Sequence, residues 1–506
     1  MGISRRDFIK AGLAASGGIG AGLGAALGTS KGAGHAAAPR SLTAPIGPAA
    51  PPPNLLFVFP DQLRAQALGF MGEEPVRTPV LDRFARQGVV FSQAVSNYPI
   101  CSPYRGMLWS GKYPLASGVT ENLTSAAGEA GMDFKPGTTC LSDVLKKRGY
   151  SLGYIGKWHL DAPHKPYIDT SNNKAEPAWN EWTPPARRHG FDFWHAYGTY
   201  DQHLRPMYWS TDAPRDEFAY VDRWGPEYEA DLAGRYIRNE GGRFRDPAKP
   251  FALVVSMNPP HMPYDQVPGR YLDLYKDAAV DALFRRPDIP AAGTRWGDYY
   301  RKNIRGYYAM TSGVDEQFGR ILDALEAAGL AENTIVVFTS DHGNCLGIHD
   351  EISKNTYFEE SVRIPLLIRW PGRIRARRDE ALVSVPDMMP SLLGLMGFAA
   401  DIPAGVEGTN FDRLIRTGEG ARPSSQLYLR IPPAKAEPAL RGVRTDRHML
   451  VVERGGGGRE RAILYDNAKD PYQLRDIASE SPTIIRRLVE DELKPWLKRT
   501  ADPFLG

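Results

Sequence analysis

The chain has 506 residues, 42 % of them hydrophobic and 24 % charged, with a formal net charge of +3. This is the composition of a folded protein rather than a disordered one. Arg5, Arg6, Lys10 and Lys31 against Asp7 account for the whole net charge, so the rest is neutral and gives no electrostatic case for nucleic acid or an anionic membrane.

In chain order, "SRRDFIK" (Ser4 to Lys10) and the Gly/Ala-rich apolar run from Ala11 to Gly28 resemble a twin-arginine export signal, with a small-residue cleavage site within "GHAAA", Gly34 to Ala38. Its many glycines make the run too weakly apolar for a stable membrane anchor. Residues 1–38 are therefore expected to be removed and the protein to be periplasmic or secreted, with the twin-arginine machinery as a partner. Residues 39–53, including "APIGPAAPPP", read as a stiff lead-in.

Four short, continuous apolar runs then read as buried strands of a largely parallel sheet. "NLLFVFPDQ" begins at Asn54 and ends in Asp61 and Gln62. "YSLGYIGKWHL" ends in Lys157 and His159, "FALVVSMNPPHMPY" in a Pro-Pro loop and His261, and "TIVVFTSDHGN" in Asp341 and His342. Helical patterns lie between them, at Thr78–Gly88, Thr139–Tyr150 and Thr311–Gly329, so the expected class is α/β, with a large mixed, mostly parallel sheet flanked by helices over residues 54–398. The segment from Asp161 to Trp224 has little periodicity and many aromatics, among them Trp179, Trp182, Trp194, Tyr200 and Trp209. These either shape a pocket or bury the excursion. Residues 399–506 read as a smaller antiparallel sheet ("QLYLRI", "HMLVVER", "RAILYDN"), with Gly455 to Gly458 turning a hairpin and an amphipathic helix at the end.

In open α/β sheets ligands bind beyond the carboxyl ends of the strands, and here four such ends carry ionisable residues. "CSPYRGMLWSG", Cys101 to Gly111, adds a fifth group. Pro103 suits the first turn of a helix, which places Cys101 at the N-terminus beside free N–H groups and four residues before Arg105. A thiol so placed ionises readily. Asp61, Gln62 and Asp341 offer hard oxygens and His342 a nitrogen, a set suited to Ca²⁺, Mg²⁺ or Mn²⁺. The remaining groups, Arg105, Lys157, His159, His261 and Lys354, are mostly cationic. A metal amid cations suits an anionic tetrahedral group, hence a sulfate or phosphate ester.

These residues resemble the formylglycine-dependent type I sulfatases of the alkaline-phosphatase-like superfamily. "CSPYRGMLWSG" is similar to the family's Cys-x-Pro-x-Arg signature, and "GYSLGYIGKWHL" to its second signature, departing from it at Leu152. "RGVRTDRHMLV" and "LYDNAKDPYQLRDIA" carry the resemblance to the C-terminus. It implies that a maturation enzyme oxidises Cys101 to formylglycine, whose hydrate supplies the attacking hydroxyl and a route to release sulfate. It also implies one divalent cation, Ca²⁺ ahead of Mg²⁺ or Mn²⁺, held by Asp61, Gln62, Asp341, His342 and the modified Cys101. Arg105 and Lys157 would hold the hydrate, His159 would take its second proton, His261 would serve the leaving alcohol, and Lys354 would grip the sulfate. Gln62 stands where many sulfatases have a second aspartate, and with His342 it is also similar to the family's phosphonate monoester hydrolases. The expected substrate is a sulfated small molecule or glycan. The alternatives are a phosphonate or phosphodiester hydrolase and a silent sulfated-glycan-binding protein.

Overall fold

The structure, a computed structural model, describes residues 51–505 except 136, 433–437 and 456–459. The twin-arginine segment, its cleavage site, most of the lead-in and the tip of the glycine hairpin lie outside the described residues. The four apolar runs form β1 (Asn54–Val58), β3 (Ser151–Lys157), β7 (Phe251–Ser256) and β8 (Thr334–Thr339). They lie side by side in the order β8-β1-β7-β3, all parallel, at the centre of a ten-stranded sheet. Alternate residues along each strand enter opposite cores. Leu55, Phe57, Val254 and Val337 pack on one face, and Leu56, Val58, Val255 and Phe338 on the other. Burial on both faces is why these strands read as unbroken apolar runs.

Each face is covered by helices whose apolar stripes match it. The helix Cys101–Ser110 and the helix Val385–Leu395 pack together on one side. The helices Pro79–Ala85, Gly225–Arg238 and Arg295–Ala327 cover the other. The last of these starts well before the expected Thr311, because Thr294 caps it by accepting the Gly297 N–H.

The excursion from Asp161 to Trp224 is more regular than its pattern suggested. It supplies β4 (Phe193–Tyr197), β5 (Met207–Ser210) and β6 (Ala219–Tyr220), which extend the sheet beyond β3. Trp194 and Trp209 are buried, so most of its rings serve packing. On the opposite flank the short strands β2 (Val89–Phe91), β9 (Leu366–Arg369) and β10 (Arg377–Asp379) complete the order β10-β2-β9-β8, with β9 antiparallel to both neighbours.

The second sheet is antiparallel, in the order β11 (Ser425–Arg430), β12 (Ala439–Thr445), β13 (His448–Arg454) and β14 (Glu460–Asp466). Its Leu427, Val443, Leu450 and Leu464 join the same core as the helix Cys101–Ser110, while Tyr428, Met449, Val451 and Ile463 pack against Phe358 and Val362. The terminal helix Pro482–Leu488 passes through a wide turn at Val489–Leu493 before Lys494–Arg499. Pro495 has no N–H to donate to residue 491, which accounts for the widening. Among the described residues no helix is long and apolar enough to cross a membrane.

Candidate active site

Register explains how the site is assembled. Val58 pairs with Val255 on one side and Phe338 on the other, and Gly156 pairs with Ser256. The four strands therefore end level, so that Lys157 at the end of β3 and the loops carrying Asp61, His261 and Asp341 meet at one edge. Gly156 makes this tight edge possible. Its φ is +99°, and a Cβ there would sit 2.1 Å from the Ser256 carbonyl oxygen. Gln62 (φ 68°) and His159 (φ 53°) hold the same left-handed conformation without being glycine, a strain that commonly accompanies functional positions.

The helix Cys101–Ser110 points its N-terminus at this edge, with Cys101 as its first residue and Gly111 (φ 65°) ending it. The buried Cys101 Sγ lies 3.5 Å from His342 Nε2, 3.8 Å from Asp61 Oδ1, 3.9 Å from Lys157 Nζ and 3.2 Å from Lys354 Nζ. Burial and Asp61 disfavour a thiolate there, but Lys157, Lys354 and the adjacent His159 ring outweigh them and bring the thiol well below its usual range.

Asp61, Cys101, Asp341 and His342 place their ligand atoms within 4.8 Å of one another, all buried. His342 Nδ1 donates to the Gly343 carbonyl at 3.0 Å, which leaves the Nε2 lone pair facing Asp61 Oδ1 at 3.5 Å and Asp341 Oδ1 at 3.6 Å. A lone pair aimed at two buried carboxylates is repulsive unless a cation or proton lies between them, so the donor set fits a divalent ion. Gln62 Nε2 donates to the Tyr264 hydroxyl at 3.2 Å, which turns the amide oxygen toward Lys354 Nζ, 3.3 Å away. Burial beside Asp61 pushes the Asp341 carboxyl up. Burial opposes ionisation of Asp61 as well, but Lys157 at 2.7 Å, with Lys354, His261 and His342, holds it well below the usual carboxylate range.

The other predicted residues surround this centre. Arg105 is fully buried and donates to the Lys157 carbonyl at 2.5 Å and to Ser256 Oγ at 2.9 Å, with Asp61 at 3.3 Å and Asp341 at 3.5 Å. It therefore braces the strand ends and both carboxylates from behind. His159 is buried and, among the described residues, neither ring nitrogen has a hydrogen-bond partner; burial lowers its pKa to about 4. Trp179 lies beside it, ring centroids 6.1 Å apart and half-buried, so of the excursion's tryptophans it borders the site. His261 is also half-buried, with Nδ1 2.8 Å from the Met262 carbonyl oxygen. Thus Lys157, His159, Lys354 and His342 converge on Cys101 with Asp61 and Asp341, and Arg105 supports them.

Several supporting residues were not singled out in the sequence. Asn258 accepts from Lys157 Nζ at 3.1 Å, and Tyr264 takes donors from both Gln62 and Asn344. Asn258 could have been found as another polar residue at a strand end. Behind the loop after β8, Glu360 is gripped by Arg286 and lies 3.1 Å from His349, while Arg64 donates to the Asn344 carbonyl at 2.9 Å. Gly343 passes so close to this layer that a Cβ would meet the Glu360 carbonyl at 1.9 Å. The Lys354 loop is tied on both sides. The Asn355 N–H donates to the Pro99 carbonyl, and the Glu359 N–H donates to Gln473 Oε1 at 2.8 Å. Arg444 on β12 forms a bidentate pair with Glu359, both contacts at 3.0 Å. The second sheet thereby holds a loop of the first domain's site. Cys140 and Cys345 are buried away from this chemistry, both with thiols raised by burial.

A carboxylate and imidazole cluster beside a buried, cation-flanked residue 101 defines a hydrolase for esters of an anionic tetrahedral group. The sulfatase family model matches residues 53–398, and a model of the N-sulphoglucosamine sulphohydrolase C-terminal region matches 347–499. The chain belongs to the sulfatase family, and it is a sulfatase of alkaline-phosphatase-like fold. It is 37 % identical over 488 residues to an endo-4-O-sulfatase of Bacteroides thetaiotaomicron, covering 89 % of this chain and 93 % of that one. An ulvan-active sulfatase of Formosa agariphila is 32 % identical over 460 residues, covering 89 % and 82 %. The crystal structure of the yidJ protein from Bacteroides fragilis superposes with a TM-score of 0.87 at 49 % identity, covering 91 % of this chain and 98 % of that one.

Proposed function

We propose that the protein is an exported sulfatase that removes sulfate from a sulfated glycan, acting through formylglycine at position 101 and one divalent cation, Ca²⁺. The observation that carries this is the convergence of Asp61, Asp341, His342, Lys157 and Lys354 on Cys101. The names of the two relatives, an endo-4-O-sulfatase and an ulvan-active sulfatase, support a glycan as the substrate. Export rests on Arg5 and Arg6 and the apolar run that follows them. Maturation then requires a formylglycine-generating enzyme acting on Cys101.

Asp61, Asp341, His342 and the Gln62 amide oxygen are the groups that would hold the cation, which polarises sulfate oxygens and lowers the pKa of a hydroxyl at residue 101. Formylglycine supplies that hydroxyl and a second one through which sulfate can be released. The chain's own residues do the rest. Lys354 and Lys157 offset the charge of the sulfate oxygens. His159, held neutral by burial, is a proton acceptor with both ring nitrogens unengaged. His261 meets the leaving oxygen, and Trp179 offers a face on which a sugar ring can stack.

A phosphonate or phosphodiester substrate is the second reading, favoured by the neutral Gln62. Lys354 weighs against it, because its Nζ occupies the space beside residue 101 that a second ester substituent needs. The deciding experiment is a release screen with purified protein carrying modified residue 101. The panel is 4-O- and 6-O-sulfated amino sugars, their oligosaccharides, ulvan oligosaccharides, 4-nitrophenyl sulfate and a phenyl phosphonate monoester. Sulfate release from a saccharide and its loss in Cys101→Ala are expected. Faster turnover of the phosphonate than of every sulfate would mean the reaction has been misassigned.

A further inference from the structure

The leaving-group side of the site is built around a carboxylate that the reading above does not use. Asp201 lies in the loop between β4 and β5, about a third exposed. Its Oδ1 is 3.3 Å from His261 Nδ1 and accepts the Asn258 amide at 3.2 Å, and its Oδ2 accepts the Asn172 amide at 2.9 Å. Asn258 is oriented by Lys157, which donates to its Oδ1 at 3.1 Å. An unbroken polar chain thus runs from Asp61 through Lys157, Asn258 and Asp201 to His261.

His261 itself has little freedom. Its N–H donates to the Asn258 carbonyl at 3.0 Å, its carbonyl accepts from His203 Nε2 at 2.9 Å, and its Nδ1 lies between the Met262 carbonyl and Asp201. Two acceptors on Nδ1 require the proton there. Nε2 is then the nitrogen left for a ligand, and it has no hydrogen-bond partner among the described residues. Of the two groups on Nδ1, only Asp201 carries a formal charge.

We propose that Asp201 is the positioning residue of the leaving-group acid, holding His261 as an imidazolium with Nε2–H directed at the ester oxygen. The inference rests on the sulfatase reading of the site. As the bond from sulfur to the leaving oxygen breaks, its electron pair stays on that oxygen. The Nε2 proton transfers to it, His261 becomes neutral imidazole, and the sulfuryl group passes to the attacking oxygen. The alcohol leaves neutral, and His261 regains a proton from water before the next turnover. A sugar alkoxide needs that proton badly, whereas a nitrophenolate does not.

The test follows from that difference. Wild type, Asp201→Asn, His261→Ala and the double variant are compared on the best saccharide sulfate of the screen and on 4-nitrophenyl sulfate, with melting temperatures recorded. Asp201→Asn is expected to lower kcat on the saccharide by roughly tenfold to a hundredfold and on 4-nitrophenyl sulfate by less than about threefold. In the His261→Ala background it is expected to add no further loss. Equal loss on both esters, or undiminished loss without His261, assigns Asp201 a purely structural role and overturns the inference. A rise in saccharide KM with kcat unchanged makes Asp201 a substrate contact and overturns it as well. If wild type with modified residue 101 releases no sulfate from either ester, the sulfatase reading falls and this inference with it. An active wild type with a uniform variant loss sinks this inference alone.

Discussion

Lys354→Ala measures how much of the catalysis depends on a single cation. Its Nζ is 3.2 Å from Cys101 Sγ, 3.3 Å from Gln62 Oε1 and 3.8 Å from Asp61 Oδ1, and the side chain is only 14 % exposed. A unit charge about 4 Å from another is attracted by about 4 kcal/mol at an effective dielectric of about 20, which sets the scale for a contact to a sulfate oxygen in this pocket. Removing one preorganised donor from a developing negative charge costs about 2.7–4 kcal/mol at the oxyanion hole of a serine protease, a guide to the scale here. At about 1.4 kcal/mol per tenfold, kcat/KM for sulfate esters should fall by about a hundredfold to a thousandfold. The fold should be unaffected, because Asp61 keeps Lys157 at 2.7 Å and Arg105 at 3.3 Å. A phenyl phosphonate monoester should lose much less, since removing Lys354 opens room for its second substituent. The assay is kcat/KM for 4-nitrophenyl sulfate and for the phosphonate on matched preparations, with aldehyde content at residue 101 verified by hydrazide labelling. A loss of less than about threefold on the sulfate ester, at equal aldehyde content, would show that Lys354 does not touch the transferred group.

Two further outcomes are expected. Glu229 is buried with, among the described residues, only the Tyr208 hydroxyl as donor, and burial raises its pKa from 4.5 to about 8. Between those values the folded protein holds a proton that the unfolded chain has lost, so this group's contribution to stability falls as pH rises, by about 1.4 kcal/mol per pH unit, and levels off above the folded pKa. Glu229→Gln should therefore flatten the melting temperature against pH between about 5 and 8 and be the more stable protein at pH 8; parallel curves for the two proteins would exclude this. Replacing Arg5 and Arg6 together with lysine should retain the precursor in the cytoplasm, read by fractionation and immunoblot, and normal amounts of the double variant outside the cell would show that the segment is not a twin-arginine signal.

The sequence by itself was enough to locate the central parallel strands and the residues at their ends. Strands buried on both faces must be apolar throughout, so an abrupt Asp61-Gln62, Lys157-x-His159 or Asp341-His342 after such a run is visible without coordinates. Cys101, Pro103 and Arg105 were legible for a similar reason, since a helix N-terminus constrains residue type at fixed spacing. What the chain order could not reveal was decided by pairing and packing. β4, β5 and β6 are two to five residues long and become strands because β3 offers an edge, not because their own pattern demands it. Asp201 reads locally as one more loop acid; it becomes a partner of His261 only because the loop after β4 folds over the loop after β7, sixty residues on. Likewise Lys354, named through the family resemblance but an ordinary lysine by local pattern, reaches residue 101 because Pro99 on one side and, on the other, Arg444 of the second sheet and Gln473 in the segment after it pin its loop. Contacts between residues far apart in sequence leave no local periodicity, so only the assembled structure could supply them.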